Sequence, residues 1–179
     1  EGLMTQYQTG RDAGDFETGI RTAVQAILAK PEFIFRFEHV PPNVGPGETF
    51  RLSDIQLASR LSYFLWSSAP DEQLLTLASQ GKLKDPVVLQ QQVKRMLADP
   101  RSEALATSFA GQWLRLGGLQ EANPESGIFP NFTRNLALSM RREVELLFDN
   151  IVREDRNVAE LLTADYTFVD EVLAKHYGI

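Results

Sequence analysis

The stretch FTRNLALSMRREVELLFDNI, residues 132–151, decides the fold of this chain. Its apolar residues recur at steps of three and four positions, the spacing that places side chains on one face of an α-helix. At the standard helical pitch it spans about six turns, which makes it the longest helix that the sequence predicts. The predicted apolar stripe is Phe132, Leu136, Met140, Val144, Leu147, Phe148 and Ile151. The predicted polar face is Arg134, Arg141, Arg142, Glu145, Asn150 and Arg153.

Helical periodicity continues on the N-terminal side of this stretch. Residues 15–29 predict one helix, which a proline follows. Further helices are predicted where a capping serine or a proline precedes an apolar pattern, because such residues suit the first turn of a helix. These predicted starts are Ser53, Pro70, Pro86 and Pro100.

The residues flanking the long helix also follow a helical pattern. Residues 121–131 predict a loop with Ile128 and Phe129 pointing inward as anchors, and two short helices are expected near residues 158–162 and 169–177. No strand-turn-strand pattern interrupts these segments. The expected fold class is all-α, an irregular multi-helix bundle of about seven to eight helices.

A short aromatic segment and a proline-rich loop divide the chain. The alternating aromatic residues from Phe33 to Phe37 fit either a strand or a last helical turn, and we interpret them as a short extended segment. The prolines and glycines that follow predict a loop. The expected organisation is an N-terminal helical module over residues 1–40, a linker over 41–50, and a main helical module over 51–179 that is truncated at its C-terminal end.

Composition excludes several classes of function. The chain has 18 Lys and Arg against 24 Asp and Glu, a formal net charge of -6, and no basic run longer than a pair such as Arg141-Arg142. Nucleic acid is therefore not an expected partner, because phosphate binding depends on clustered positive charge. No apolar run approaches the roughly 18 residues of a membrane span. The absence of cysteine excludes disulfides, thiolate metal sites and covalent haem attachment in these residues. We predict no cofactor and no metal site within the chain.

Glu143 is the one candidate catalytic residue. It lies beside the apolar stripe of the long helix, and a carboxylate forced toward a core acquires the perturbed proton affinity of a general acid or base. The favoured interpretation is structural pairing with an arginine, for which the chain offers Arg60, Arg115 and Arg142.

The remaining candidates favour structural roles. His39 is expected in a solvent-exposed loop and His176 as a cap on the last helix, since neither has a ligand-type neighbour. Ser67 and Ser68 lack a nucleophile motif and fit a helix end. Aromatic residues at helical spacing are usually core, with an exposed ligand or partner surface as the alternative. This aromatic set is Phe33, Phe35, Phe37, Phe64, Trp66, Phe109, Trp113 and Phe148.

Three blocks of sequence resemble a known family. They are FETGI at residues 16–20 with ILAKPEFIFR at 27–36, LASRLSYFLWSSAPD at 57–71, and ADYTFV at 164–169 with HYGI at 176–179. The blocks resemble the bacterial domain-of-unknown-function family 1592, preceded by the 1595-type helical module. Such modules occur in large exported proteins that often carry c-type cytochrome domains, and no catalytic residue is established for them.

The resemblance implies the kind of protein that contains this chain, its location and its partners, and it implies no reaction. It implies a helical structural or docking module of a larger exported, cytochrome-linked protein, located in the periplasm or outside the cell. Its expected partners are neighbouring domains of the same polypeptide or a protein complex, with haem c held in another domain. Two alternatives remain: an enzyme domain using Glu143 with a nearby arginine, associated with an oxidoreductase or acting on an extracellular polymer, and a subunit that holds a cytochrome in a membrane-associated electron-transfer assembly.

Overall fold

The computed structural model of the chain describes residues 2–35, 38 and 40–179. Within these residues the fold is all-α without strands, which confirms the predicted fold class. The chain forms two compact units, Glu1–Arg51 and Leu52–Ile179. His39 and Phe37, predicted as a loop residue and as the end of an extended segment, lie outside the described residues. No described helix is long and apolar enough to cross a membrane.

The first unit is a helical hairpin followed by one short helix: α1 Gly2–Ala13, α2 Phe16–Leu28 and α3 Pro31–Ile34. Asp15 caps α2 by accepting a hydrogen bond from the Thr18 amide at 2.8 Å. The two helices approach closely at Gly19, where a Cβ would come within 2.9 Å of the Tyr7 ring. Steric exclusion of larger side chains there explains the glycine.

Two features of the first unit differ from the sequence expectations. Phe33 lies inside α3, because Pro31 at the first helical position presets the helical backbone. Among the described residues of the predicted extended segment, Phe35 has an extended backbone, at φ -113° and ψ 153°. The apolar stripe of α2 lies at the surface of its own unit. Its exposed members are Phe16, Ile20, Val24, Ile27 and Leu28.

The second unit begins with three helices whose starts follow the predicted caps: α4 Asp54–Trp66, α5 Glu72–Ser79 and α6 Pro86–Ala98. Ser53 and Gln56 form a capping box that satisfies amides at the start of α4. The Asp71 carboxylate accepts from the Leu74 amide at 3.0 Å at the start of α5. Gly81 takes the left-handed conformation after α5, at φ 66°, which glycine adopts without steric cost.

The helix predicted to start at Pro100 is broken into three pieces. A 3₁₀ turn over Pro100–Ser102 is followed by a π-helical segment, Leu105–Ala110, and by the short helix α7, Gly111–Trp113. A π-helix places residues four and five apart on one face. This spacing keeps Leu105, Ala106 and Ala110 on one buried face. At the α-helical pitch the same three side chains would be spread further around the helix axis.

The second unit is completed by α8 Gly118–Glu121, α9 Arg134–Arg153, α10 Glu160–Thr163 and α11 Glu171–Tyr177. The predicted long helix is α9, which Thr133 caps by accepting from the Leu136 amide at 3.1 Å. The predicted inward anchors Ile128 and Phe129 are instead 66% and 57% exposed, since the loop that carries them lies at the surface.

One apolar core joins α4, α5, α6, the π-helical segment and α9. The core residues pack between these helices, and Phe148 is the core residue on α9. This core holds the elements that carry the features described next. It consists of Ala58, Leu65, Trp66, Leu74, Ala78, Leu83, Met96, Leu105, Ala106, Ala110 and Phe148.

Candidate functional site

Three exposed aromatic side chains form a contiguous ladder on the second unit. Phe64 of α4 meets Phe109 of the π-helical segment edge to face, with ring centroids 5.2 Å apart. Phe109 stacks on Trp113 of α7 with centroids 5.9 Å apart and an interplanar angle of 19°. Phe148, which is buried, contacts Phe109 from the core side at 6.4 Å. We call Phe64, Phe109 and Trp113 the aromatic ladder.

The ladder corrects the prediction that the aromatic residues are core. Phe64, Phe109 and Trp113 are 51%, 40% and 57% exposed, whereas Trp66 and Phe148 are buried as predicted. Phe33 and Phe35 of the first unit are exposed as well, so the core prediction is also wrong for them, and Phe37 lies outside the described residues. The exposed alternative therefore holds for the ladder. Phe109 lies in the π-helical segment, Trp113 in α7 and Phe64 in α4, so the ladder is assembled from three separate elements.

Trp66 is held by a cluster of charged residues beside the core. Its indole Nε1–H donates to the Met96 carbonyl oxygen at 2.9 Å. The Arg101 guanidinium lies 3.5 Å from the ring centroid, a cation–π distance, and Arg95 lies 5.5 Å away. Asp71 binds Arg95 with both carboxylate oxygens, at 2.6 and 3.1 Å, and Asp99 binds Arg101 at 2.8 Å. This cluster clamps the junction of α4, α5 and α6.

The carboxylates of this cluster make stability depend on pH. The Arg101 side chain and amide lower the pKa of Asp99 to about 2, and the hydrogen bond from Arg95 lowers the pKa of Asp71. The folded pKa values lie below the unfolded ones. We therefore expect the contribution of these two carboxylates to the unfolding free energy to be fully present above about pH 4 and to be lost as the pH falls toward about 2. The urea midpoint at pH 5 and at pH 2.5 measures this.

The matched variant for the pH effect is Asp99→Asn, which keeps a side-chain oxygen for capping but cannot titrate. We expect its urea midpoint to fall less steeply over the same pH interval than that of the parent chain. An identical slope in the two proteins would contradict the assignment.

Glu143 is bound by hydroxyl groups. Its Oε1 accepts from Thr167 Oγ1 at 2.5 Å, and its Oε2 accepts from the Tyr177 hydroxyl at 2.8 Å. The hydrogen bond to Glu143 raises the pKa of Tyr177. Across residues 2–35, 38 and 40–179 no arginine forms an ion pair with Glu143, so the expected pairing with Arg60, Arg115 or Arg142 is wrong. Its catalytic role stays a prediction.

The buried carboxylate of α9 is Glu145, which the sequence pattern placed on the polar face. Glu145 is 5% exposed and binds Arg141 Nε at 2.7 Å and Arg142 Nη1 at 3.4 Å. Arg142 also reaches Glu103 at 2.8 Å. The segment around residues 103–111 packs against this side of α9 and covers it, which helical periodicity cannot show.

The histidine and serine predictions have different outcomes. His176 is exposed in α11, and Gly178, at φ 77°, ends that helix in place of the predicted histidine cap. The His176 side chain lines an open cleft of about 410 Å³ with Ile128, Phe129 and Met140. Ser67 is the C-cap residue of α4, at φ 52°, in agreement with the predicted helix end.

Metal and haem chemistry have little support from the residues themselves. Within the described part of the chain, no group of three or more His, Asp or Glu side chains is arranged to hold a metal ion. Covalent haem attachment needs cysteines, and the sequence has none, so the residues do not fit c-type haem. The predictions that this chain holds no metal and no cofactor stay predictions.

Comparison with known proteins identifies a family. The model of the family described as "PSD4: Protein of unknown function (DUF1592)" matches residues 52–179, the whole of the second unit and the greater part of the chain. No curated protein and no solved structure matches the chain. The resemblance to family 1592 is thereby confirmed, while the preceding 1595-type module stays a prediction. The chain therefore belongs to the PSD4 family of proteins of unknown function, DUF1592.

Proposed function

We propose that the chain is a helical docking module of a larger exported, cytochrome-linked protein and that the aromatic ladder is its docking surface. The observation that carries the docking role is the exposure of Phe64, Phe109 and Trp113 in one stacked array. Export, a periplasmic or extracellular location and haem c in another domain rest on the family resemblance. The proposed occupant is an apolar surface of a neighbouring domain in the same polypeptide.

The chemistry of the ladder suits protein docking. Aromatic side chains supply a large contact area with few rotatable bonds, so little conformational entropy is lost when they are covered. Phe148 supports Phe109 from within the core, which holds the array in place before a partner binds. Clustered aromatic side chains of this kind are common near the centre of an interface.

The size of the ladder favours a partner within the same polypeptide. Three side chains that are about half exposed offer roughly 300 Å² of aromatic surface. A stable interface between separate proteins covers about 800 Å² on each partner. Domains on one polypeptide meet at millimolar effective concentration, and a smaller interface then suffices.

The enzyme alternative has less support. Glu143 lies between the hydroxyl groups of Thr167 and Tyr177, and these contacts join α11 and the segment before it to α9. A carboxylate that ties two elements together through hydroxyl groups fits a structural role. The arginine that this alternative requires beside Glu143 is not among the described residues that contact it.

The docking role predicts that loss of the Trp113 side chain destabilises the protein more when the partner is present. In the longer polypeptide that contains the neighbouring domains, Trp113→Ala should lower the unfolding free energy by about 2 kcal/mol, the cost of removing an interface anchor. In the 179-residue chain alone, the same change should cost about 1 kcal/mol or less, because only the stack on Phe109 is lost. Urea denaturation of both proteins measures the difference.

The matched control is Leu162→Ala, which truncates a side chain that is 94% exposed and lies outside the ladder. It should have the same small effect in the long and the short protein. Oxidative footprinting gives a second readout, in which Trp113 should react more slowly in the longer polypeptide and Trp66 slowly in both. Equal reactivity of Trp113 in the two proteins would contradict docking. A complete reading frame without a C-x-x-C-H segment would contradict the cytochrome link.

A further inference from the structure

A second feature of the same unit is an open cleft with two arginines in its wall. The cleft encloses about 500 Å³ between the π-helical segment, α7, α8 and α9, and its polar lining includes Arg115, Arg141, Gln112 and Glu121. This volume lies within the range of small-molecule sites. The cleft does not include the rings of the aromatic ladder, so it is a separate feature from the proposed docking surface.

Arg115 occupies a backbone position that favours glycine. After α7, the Leu116 amide donates to the Gly111 carbonyl at 2.9 Å and the Arg115 amide donates to the Gln112 carbonyl at 3.1 Å. This pair of bonds is a Schellman motif, in which Arg115 is the left-handed residue, at φ 56°. An arginine there stores strain that a glycine would relieve, and such strain often accompanies function.

Arg141 presents unused hydrogen-bond donors to the cleft. Its Nε donates to the buried Glu145, which fixes the side chain, and one of its Nη atoms lies 3.9 Å from the position of a Cβ on Gly111. Among the described residues the Nη groups of Arg141 have no protein acceptor, and the same holds for the guanidinium of Arg115. Gly117 and Gly118 leave open space beside them, where a ligand can approach the backbone.

The charged side chains that line the cleft favour an anionic ligand. Arg115 and Arg141 against Glu121 leave about one net positive charge on the lining, and Glu145 already shares the charge of Arg141. Guanidinium groups bind both carboxylates and phosphates with paired hydrogen bonds, so the charge decides between them. One net positive charge matches a singly charged carboxylate better than a doubly charged phosphate. Gln112 and Glu121 are polar groups on the same cleft that can bond hydroxyl groups of the ligand.

We propose that this cleft binds a small hydroxycarboxylate as its monoanion. The carboxylate lies against Arg115 and Arg141, and the hydroxyl groups of the ligand face Gln112 and Glu121. The site is independent of docking by the aromatic ladder, so either proposal can fail alone.

Arg115→Gly tests the proposal without the risk of a destabilised variant, because glycine fits the left-handed backbone at this position. Sodium D-gluconate is titrated into the 179-residue chain at constant ionic strength, with binding followed by calorimetry, and a dissociation constant on the order of 1 mM is expected. Arg115→Gly should weaken binding at least about tenfold, because it removes a charged donor pair. Its thermal midpoint should stay level or rise, because glycine fits the left-handed position.

The matched control is Asp155→Gly. Asp155 follows α9 at φ 49° in the same kind of motif, with the Arg156 amide on the Ile151 carbonyl at 2.9 Å, and it does not line the arginine cleft. It should raise the thermal midpoint and leave gluconate binding unchanged. Absence of gluconate binding, equal binding by Arg115→Gly, or tighter binding of inorganic phosphate would each overturn the proposal.

Discussion

Replacement of Trp66 with alanine should lower the unfolding free energy of the chain by about 4 kcal/mol, the middle of the range for a buried tryptophan. The side chain is 3% exposed and belongs to the core where α4 meets α6. Alanine leaves a cavity, removes the hydrogen bond to the Met96 carbonyl and takes away the ring under Arg101. Urea denaturation followed by far-ultraviolet circular dichroism measures the loss.

The chain contains a matched control for this prediction, because its second tryptophan is exposed. Trp113→Ala removes the same number of atoms from a side chain that is 57% exposed, and it should cost about 1 kcal/mol or less in the isolated chain. The contrast between the two variants tests burial directly. Similar losses of unfolding free energy for the two variants would show that the burial of Trp66 and its contacts with Met96 and Arg101 add little to stability.

Replacement of Glu145 with glutamine should lower the unfolding free energy by about 3 kcal/mol, the lower end of the range for breaking a buried ion pair. The carboxylate is 5% exposed and forms ion pairs with Arg141 and with Arg142, which also pairs with Glu103. Glutamine keeps the volume but removes the charge, so both guanidinium groups lose their shared partner. Part of the cost is relieved by water, since the side chains of Arg141 and Arg142 are 29% and 47% exposed.

Glu143→Gln is the control on the same helix. Glu143 accepts hydrogen bonds from Thr167 and Tyr177 in a more exposed position, and an amide oxygen can still accept one of them. This variant should cost about 1 kcal/mol or less, the net value of an ordinary hydrogen bond. Urea midpoints of the two variants at pH 7 decide the comparison. A larger loss from Glu143→Gln than from Glu145→Gln would mean that α11 depends on Glu143 more than α9 depends on its buried ion pair.

Local sequence signals were sufficient for most of the helices. The apolar stripe around Leu136 and Phe148 predicted α9, and Ser53 and Pro86 marked the starts of α4 and α6. These signals act within one or two turns, so they are visible without the rest of the fold. By contrast, no apolar stripe in the sequence predicts α1, which packs against α2.

The candidate sites were less predictable than the helices. The sequence pattern singled out Glu143, while the buried carboxylate is Glu145, because the segment that covers that side of α9 is distant along the chain. Arg115 carried no signal, since its left-handed conformation is imposed by the end of α7. The one available signal for the aromatic ladder was the four-residue spacing of Phe109 and Trp113, which fits core and surface equally well.

The sequence by itself determined that this chain is all-α, where most of its longer helices begin, and that covalent haem cannot be attached to it. Those properties follow from periodicity, capping chemistry and the absence of cysteine. Only the tertiary structure decided which aromatic side chains are buried and which form the ladder. Burial depends on what packs against a helix face: Phe109 and Trp113 are 40% and 57% exposed, whereas Trp66 is 3% exposed in the core.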